Sequence, residues 1–390
     1  METWSTHHLS QEAEVLLGKE SALKLTRYSN KLKRNDLPVI FTLRHLSKIV
    51  KVDYKLLRST VNRQRESANY RMFAIKKRSG GRRHIHAVTG ELFKVQHFIN
   101  SEILQKIKPH NLSFAFHTNG GIRKCAEMHC GARWLFQFDI ENFFYSINES
   151  DVYKIFLAAG YRPLLSFELA RICTTLCLPA HLASLIQRNA HSRKKYKLYN
   201  PNKNCSSSFL DEYRPKPMGV LPQGAPSSPM ISNLVAKELD ISMAEYADKN
   251  SLIYTRYADD ITLSSSSDLP KGVSTGKIRR DIIEIIRKNH FKENRNKTRI
   301  AGPGSKKIVL GLLVDSERPR LSKETYKRIT RHIYAIEKFG IEEVAKYEKF
   351  DSALGFYNHI CGLISFVKDV DHERWNDFHK KISKITPPTN

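Results

Sequence analysis

The pattern of apolar and polar positions predicts strands in two places that also carry acidic residues. In residues 134–147, WLFQFDIENFFYSI, aromatic side chains alternate with other residues as in a buried strand, and Asp139 stands at its end on the opposite face. In residues 253–264, IYTRYADDITLS, apolar β-prone runs flank Asp259 and Asp260. This second pattern predicts a β-hairpin with adjacent carboxylates at its tip.

A third stretch with strand periodicity, residues 70–88 (YRMFAIKKRSGGRRHIHAV), predicts a hairpin that turns at Gly80-Gly81. The residues around this turn are strongly basic: Lys76, Lys77, Arg78, Arg82 and Arg83. Five cations on a mobile glycine tip suit a polyphosphate ligand, although basic hairpins are also common as solvated surface features.

Helical periodicity follows over much of the remaining chain. A long amphipathic helix is predicted with Ser228 as its N-cap and Pro229 at its first position, continuing through Leu239. A basic, loop-rich insertion at residues 189–217 precedes this helix. A short buried strand is predicted at residues 308–314.

The composition points to a negatively charged partner. The chain has 390 residues, 41% of them hydrophobic, and 65 Lys+Arg against 39 Asp+Glu give a net charge of +26. This excess runs through most of the chain, as a nucleic-acid binder requires. No stretch approaches the roughly 18 apolar residues of a membrane-spanning helix, and the polar N-terminus lacks a signal-peptide pattern. We therefore expect a cytoplasmic protein without a membrane partner.

Cys125, His129 and Cys130 lie close together in the sequence and raise the question of a zinc site. The chain has no CxxC motif and no second paired cluster. We therefore expect reduced, structural thiols rather than zinc ligands.

The adjacent pair Asp259 and Asp260 needs an explanation, because like charges repel and burying a carboxylate is costly. A solvated acidic turn would explain a bare Asp-Asp pair. A third carboxylate, Asp139, at the end of another predicted strand favours a site that binds a cation instead.

Taken in order, the motifs over residues 40–320 resemble those of a reverse transcriptase. They are YRMFAIKKRSGGRRHI, FQFDIENFFYSI, LPQGAPSSPMISNL, RYADDITLS, NRNKT and VLGLLVD. The resemblance implies an α+β fold of the right-hand polymerase type, with fingers, a palm whose antiparallel sheet is backed by helices, and a helical thumb. The implied division is an N-terminal helical extension (1–40), mainly fingers (41–135), mainly palm with the basic insertion (136–320) and thumb (321–390).

The same resemblance assigns roles at matching positions. It implies that Asp139, Asp259 and Asp260 bind two Mg²⁺ ions, with Mn²⁺ as an alternative, which activate a 3′-hydroxyl and stabilise the leaving pyrophosphate. Lys297 matches the lysine proposed to protonate pyrophosphate. The implied nucleotide-binding residues are Lys76 or Lys77, Arg83, Phe144 and Gln223. Among them, Phe144 matches the gate that excludes a ribose 2′-hydroxyl and so favours dNTPs.

Among reverse transcriptases, the compact layout is most similar to that of bacterial retron enzymes. Their Asn-Ala-x-x-His signature aligns with a segment that keeps Ala126 and His129 but has Cys125 in place of the asparagine. Their Val-Thr-Gly signature falls on Val309-Leu310-Gly311. The resemblance implies a structured noncoding RNA as template and primer, RNA–DNA hybrid or branched DNA products, and a neighbouring effector protein in antiphage defence.

Three alternatives remain open at the level of the sequence. The first is another defence-associated bacterial reverse transcriptase without a branched product. The second is a non-catalytic RNA-binding scaffold derived from a polymerase, which the presence of all three aspartates disfavours. The third is an RNA-dependent RNA polymerase, which Phe144 and the Ala258-Asp259-Asp260 context disfavour.

Overall fold

The computed structural model describes residues 5–76, 80–183, 218–269 and 273–388. Lys77, Arg78 and the insertion predicted at 189–217 lie outside the described residues. The chain divides into two compact units, each built from three separate segments. The first unit comprises Met1–His117, Ile140–Ile241 and Ile285–Glu293, and the second comprises Thr118–Asp139, Ser242–Glu284 and Asn294–Asn390.

Helices and strands are mixed along the chain, as the predicted α+β class requires. The α-helices are α1 (Thr6–Leu17), α2 (Lys19–Arg34), α3 (Leu43–Val50), α4 (Tyr54–Val61), α5 (Glu66–Asn69), α6 (Gly90–Phe98), α7 (Ile122–Glu127), α8 (Phe143–Ser146), α9 (Glu149–Ala159), α10 (Pro163–Cys173), α11 (Ser228–Val235), α12 (Lys237–Lys249), α13 (Thr275–Lys288), α14 (Lys323–Phe339), α15 (Ile341–Tyr347), α16 (Ala353–Lys368) and α17 (His372–Ile382). The strands are β1 (Tyr70–Lys76), β2 (Arg82–Val88), β3 (Trp134–Asp139), β4 (Ile253–Tyr257), β5 (Asp260–Ser265), β6 (Arg299–Ala301), β7 (Ile308–Val309) and β8 (Leu312–Leu313). Among the described residues, no helix has both the length and the apolar character needed to span a bilayer.

In the first unit, β1 and β2 form the predicted basic hairpin. They pair antiparallel from Tyr70 opposite Val88 to Lys76 opposite Arg82. The turn passes through Gly80-Gly81, where φ is 85° and 76°. Glycine adopts this left-handed backbone without the steric cost that a β-carbon would add, which explains why the pair stands at the tip.

Helix α9 in the same unit begins at a residue that its local sequence specifies. The Asn148 side chain accepts hydrogen bonds from the backbone N–H groups of Ser150 and Asp151, and Asp151 accepts one from the Asn148 backbone. This reciprocal capping box satisfies backbone donors that would otherwise lack partners. It also fixes the position of Glu149, the first residue of the helix.

The second unit contains a four-stranded sheet with the order β4-β5-β3-β6, in which all neighbouring strands are antiparallel. Phe136 and Phe138 on its central strand β3 are buried, as the aromatic alternation predicts. Leu135 joins a second apolar cluster with Val309 and Leu312 and with buried residues of α14 to α17. The sheet is therefore covered well enough to hold its edge residues in fixed positions.

Two local predictions are wrong in detail. The helix predicted from Ser228 to Leu239 is two helices, α11 and α12, separated at Ala236. Its N-cap is Ser227, whose carbonyl accepts the first helical hydrogen bond from Ile231. Sequence patterns do not reveal the break, because no glycine or proline marks it.

The second correction concerns the strand predicted at 308–314. That segment forms two short strands, β7 and β8, joined at Leu310 and Gly311, whose φ values are 51° and 88°. Two consecutive left-handed residues are typical of a tight type I′ hairpin turn. The reversal of the chain could therefore not be recognised from an apolar run with a single glycine.

Candidate active site

Carboxylates from two separate strands meet at one edge of the four-stranded sheet. The register of β3 and β5 places Asp139 directly opposite Asp260. Asp259 precedes Asp260 in the turn after β4, where Ala258 has a φ of 57°. Opposed residues in an antiparallel sheet have Cα atoms about 4.5–5.5 Å apart. The structure thus brings together the three aspartates that the motifs single out.

Asp139 is 3% exposed, and both oxygens of its carboxylate are hydrogen-bonded. Lys297 Nζ donates to Oδ2 at 2.5 Å, and Asn294 Nδ2 donates to Oδ1 at 2.9 Å. The Asn294 backbone N–H also donates to the Asp139 carbonyl at 2.8 Å. Lys297 therefore lies with the aspartates, and Asn294, which sequence reasoning missed, fixes this segment to the end of β3.

The charges at this edge depend on one another. Burial and the charges of Asp259 and Asp139 raise the pKa of Asp260 to about 7, and Lys297 offsets part of this rise. Burial disfavours the ammonium form of Lys297, but its hydrogen bond to Asp139 and the charges of the three aspartates raise its pKa overall. Lys297 is therefore charged at neutral pH, and Asp260 holds a proton more tightly than an ordinary aspartic acid.

The donor chemistry of the edge suits a divalent cation. Three carboxylates offer the hard oxygen ligands that Mg²⁺ and Mn²⁺ take. The raised pKa of Asp260 indicates more negative charge than Lys297 neutralises. In the described part of the chain, no three His, Cys, Asp or Glu side chains already converge as a complete ligand set. The Asp139 carboxylate is hydrogen-bonded to Lys297 and Asn294, and each of its oxygens keeps a second lone pair that a cation can contact.

The two strands of the Asp-Asp hairpin are linked by a buried imidazole. Nδ1 of His129 lies 2.7 Å from the Ser264 hydroxyl on β5, and Nε2 lies 2.7 Å from the Thr255 hydroxyl on β4. The Cys125 thiol donates to the same Thr255 oxygen at 3.3 Å. Burial lowers the pKa of His129 to about 3, so the ring is neutral. We call these four residues the imidazole–hydroxyl cluster.

Arg256 on β4 is a second buried support that sequence reasoning missed. Its side chain is fully buried, and Nη1 donates to the Ala258 carbonyl at 3.0 Å. Ala258 has the left-handed backbone of the turn that presents Asp259. The only sequence signal for this role is an arginine inside an otherwise apolar, β-prone run.

The predicted nucleotide-binding residues that are described all lie in the first unit. Lys76 stands opposite Arg82 and Arg83 stands opposite Ile75 in the β1–β2 hairpin, and all three basic side chains are exposed. Lys77 lies outside the described residues. Cross-strand partners share a face of the hairpin, so Lys76 lies on one face with Arg82 and Arg83 lies on the other with Ile75.

Gln223 lies in a loop that packs directly against β2. Its carbonyl accepts a hydrogen bond from the His86 backbone N–H at 2.8 Å. Next to it, Gly224 has a φ of 110°, and a β-carbon there would lie 2.8 Å from the Ile85 side chain. Only glycine permits this approach, so the Leu-Pro-Gln-Gly motif joins Gln223 to the strand that carries Arg83.

Phe144 is connected to the same strand through its neighbour. The Tyr145 hydroxyl donates to the His84 carbonyl on β2 at 3.2 Å. The half-buried Phe144 ring lies 6.3 Å from Phe116 and 5.7 Å from Phe143, measured between ring centres. Arg83, Phe144 and Gln223 are thus carried by segments that contact one another within the first unit.

A buried ion-pair network in the first unit holds the start of the Gln223 loop. The Glu149 carboxylate pairs with Arg63 Nη2 at 2.7 Å and with Arg171 Nε at 3.0 Å. It also accepts a hydrogen bond from the Gly219 N–H at 3.3 Å, and the Glu149 N–H donates to the Gly219 carbonyl at 2.8 Å. Although burial raises the pKa of Glu149, the two arginines lower it overall. We call these residues the Arg63–Glu149 network.

Comparison with known proteins identifies one matching family and relatives that are all of one type. The family described as reverse transcriptase (RNA-dependent DNA polymerase) matches residues 75–314. The chain is 29% identical over 367 residues to the retron Ec86 reverse transcriptase of Escherichia coli, covering 93% of this chain and 96% of that protein. It is 27% identical over 346 residues to the retron Mx65 reverse transcriptase of Myxococcus xanthus, covering 88% and 71%. It is 24% identical over 328 residues to the retron Ec83 reverse transcriptase of Escherichia coli, covering 83% and 90%.

Proposed function

Because the chain belongs to the reverse transcriptase (RNA-dependent DNA polymerase) family, we propose that its carboxylate edge catalyses DNA synthesis by two-metal phosphoryl transfer. The observation that carries this proposal is the register of β3 and β5, which sets Asp139 opposite Asp260 beside Asp259. Lys297 completes the group through its hydrogen bond to Asp139.

Each residue of the edge has a distinct role in this proposal. Two bound Mg²⁺ ions supply Lewis-acid stabilisation of the attacking and leaving oxygens. Asp139, Asp259 and Asp260 would hold the two ions with carboxylate oxygens, for which Asp260 would have to be deprotonated. Lys297 keeps a proton on Nζ at neutral pH, because the aspartates raise its pKa, and that proton is available to the leaving pyrophosphate.

The first unit supplies the residues proposed to bind the incoming dNTP. Arg83 contacts the triphosphate, for which its guanidinium offers a planar fork of donors, and Lys76 or Lys77 supplies a second cation. Gln223 contacts the nucleotide from its loop. Phe144 excludes a ribose 2′-hydroxyl by its bulk and so selects deoxynucleotides. Lys77 is proposed for the same triphosphate group on the sequence motif alone.

The polymerase is proposed to act in the manner of a retron enzyme. The relatives reported above are named as retron reverse transcriptases, and the matches cover most of this chain. We infer a structured noncoding RNA that serves as template and primer, priming from an RNA 2′-hydroxyl, and a branched RNA–DNA product. The net charge of +26 suits an extended RNA partner. A role in antiphage defence with a neighbouring effector protein completes the proposal.

The first test is to purify the protein from its native host with its locus and sequence the nucleic acid that accompanies it. Samples are compared with and without debranching enzyme and with and without RNase. We expect one short DNA of fixed sequence, joined to one RNA through a debranchable 2′–5′ linkage. Long, repetitive or unbranched DNA would contradict the retron-type product, and RNA without DNA would contradict polymerase activity.

A paired substitution tests the carboxylate edge itself. Asp259→Asn with Asp260→Asn is expected to lower DNA yield roughly a thousandfold, which corresponds to about 4 kcal/mol of lost transition-state stabilisation. The matched control is Glu141→Gln, because Glu141 lies near Asp139 in sequence but pairs with Lys292 at 2.6 Å. Full DNA synthesis by the double variant would overturn the two-metal proposal.

A further inference from the structure

A basic cavity lies in the second unit, and none of its residues belongs to the carboxylate edge. It has a volume of about 640 Å³ and is formed by the segment before and within α7 and by the junction of α16 and α17. Its wall includes Gly121, Arg123, Lys124, Lys368, Asp369 and His372. Neither the motifs nor the proposed polymerase mechanism gives these residues a role.

The three cations of the cavity are held in place by neutral groups. Arg123 Nη1 donates to the Asp369 carbonyl at 3.0 Å, and Lys124 Nζ donates to the Asn119 carbonyl at 3.1 Å. Lys368 Nζ lies 4.8 Å from the centre of the Trp375 ring. Carbonyl and ring contacts orient a cation without cancelling its charge.

The charge of the cavity is therefore available to a ligand. Over the described ranges, no ion pair joins Arg123, Lys124 or Lys368 to a carboxylate. Asp369 supplies one acidic side chain to the wall, and His372 adds a cation only when protonated. Three fixed cations against one carboxylate give the wall a net positive charge.

The backbone at the entrance also leaves room for a ligand. Gly121 has a φ of 136°, and a β-carbon placed there would meet no atom within 4 Å. The wall at this point is bare backbone without a side chain over it. Access of this kind lets a bulky anion approach the cations from solvent.

We infer that this cavity binds a phosphodiester group of single-stranded nucleic acid at a second site, separate from the growing 3′ end. The inference rests on the proposed function, which supplies RNA and DNA strands as partners. Arginine and lysine held at fixed positions are the groups that proteins use for backbone phosphates, and such contacts position a strand without reading its sequence. The cavity thus acts as an anchor for a strand that is not being copied at that moment.

The test is a salt titration of oligonucleotide binding. The variant is Lys124→Gln with Lys368→Gln, and the probes are a labelled 20-nucleotide single-stranded RNA and the DNA of the same sequence. Affinity is measured by fluorescence anisotropy between 50 and 200 mM KCl. Loss of two phosphate contacts should reduce the slope of log K against log salt by about 1.4 and weaken binding about 25-fold near 0.1 M salt.

The matched control is Lys277→Gln with Lys381→Gln, two exposed lysines of the same unit that do not line the cavity. It removes the same charge, so it should change the slope much less. An equal loss in the control, or an unchanged slope in the cavity variant with both probes, would overturn the inference. Loss with RNA alone, DNA alone or both supports a phosphodiester site and identifies which strand it holds.

Two further measurements keep this result separate from the polymerase proposal. Lys124→Arg with Lys368→Arg keeps the charge and should keep the slope, which guards against a folding defect in the glutamine variant. Extension of a primed homopolymer template at saturating concentration should be unchanged in the glutamine variant. If the wild-type chain makes no DNA, the polymerase proposal fails while the salt titration still reports on the cavity.

Discussion

Each unit contains a buried polar cluster, and the two clusters differ in charge. In the first unit, the Arg63–Glu149 network holds Gly219 at the start of the Gln223 loop with ionised groups. In the second unit, the imidazole–hydroxyl cluster joins β4 and β5 behind the Asp-Asp turn with neutral groups. Both clusters connect segments that are distant in sequence.

The difference in charge determines how much stability each cluster loses when one of its residues is replaced. When one member of a buried ion pair is removed, the remaining charge is left without compensation in a medium of low polarity, at a cost of about 3–5 kcal/mol. When one member of a neutral cluster is removed, each orphaned hydroxyl costs about 1–3 kcal/mol. The neutral cluster also adds no charge beside the three carboxylates.

The largest expected effect is in the charged network. Glu149→Gln should lower the free energy of unfolding by about 3 kcal/mol, because Arg171 loses its carboxylate partner while Arg63 keeps its pair with Glu66 at 3.1 Å. Urea denaturation followed by circular dichroism measures this change. The control is Glu343→Gln, whose partner Lys346 is exposed, and a surface pair of this kind contributes little to stability. A similar small loss in both variants would show that the network is not a major support.

A smaller effect is expected in the neutral cluster. His129→Phe keeps an aromatic ring but removes both hydrogen bonds. Thr255 keeps the Cys125 thiol as a donor, so the loss should be about 2–3 kcal/mol of unfolding free energy. We also expect kcat for dNTP incorporation to fall while KM for the dNTP stays the same, because the cluster supports the Asp-Asp hairpin and not the dNTP residues. Steady-state kinetics on a primed template separates the two constants.

A compensating variant provides the control for that result. Adding Thr255→Val and Ser264→Ala to His129→Phe removes the orphaned hydroxyls, and replacing all partners by apolar groups is nearly neutral in favourable cases. Part of the stability should therefore return. A rise in KM without a change in kcat would contradict the proposed role of His129 as a positioning residue.

The smallest effect concerns the pH dependence of Mg²⁺ binding, which depends on the protonation of Asp260. A raised pKa of about 7 means that ion binding must release a proton from Asp260, so affinity for Mg²⁺ should fall as pH drops below about 7. The fall is at most about tenfold per pH unit for one proton. Calorimetric titration between pH 6 and 8 tests this, with Asp260→Asn as the control that lacks the proton. An affinity independent of pH would remove Asp260 from the ligand set.

The raised pKa of Asp260 also predicts how the stability of the metal-free protein depends on pH. The folded chain holds a proton on Asp260 more tightly than the unfolded chain, so its stability falls as pH rises from about 4 through about 7. Asp260→Asn should therefore stabilise the protein in EDTA at pH 8 and change little at pH 5. Although neighbouring groups remove part of the hydration of its carboxyl, Asp260 keeps contact with solvent, so water screens the effect and the gain is small. Greater stabilisation at pH 5 than at pH 8 would contradict the direction of the shift.

Local patterns in the sequence were sufficient for the strands that carry the aspartates. Alternation placed β3 up to Asp139, and the apolar runs around Asp259 and Asp260 defined the β4–β5 hairpin. The glycine pair likewise located the turn of the basic hairpin. These predictions succeed because strand alternation and turn chemistry act over a few neighbouring residues.

Supports that depend on tertiary contacts could not be predicted in this way. His129 reaches Ser264 across 135 residues, and Arg63 reaches Glu149 across 86. A histidine that hydrogen-bonds two hydroxyls and a histidine that binds zinc look alike in sequence until the strand register is known. The break at Ala236 was missed for a related reason, since no local signal interrupts the apolar pattern there.

The strand order of the second unit also sets the moment at which the protein can become an enzyme. Asp139 is synthesised early. Lys297, whose ammonium group contacts Asp139, is synthesised 158 residues later. At translation rates of about 5–20 residues per second, that interval lasts roughly 8–30 s. β3 lacks β5 until residue 265 has been made and lacks β6 throughout the interval, so the chain cannot complete its carboxylate edge with Lys297. Nascent chains therefore have no assembled active site until most of the polypeptide has been made.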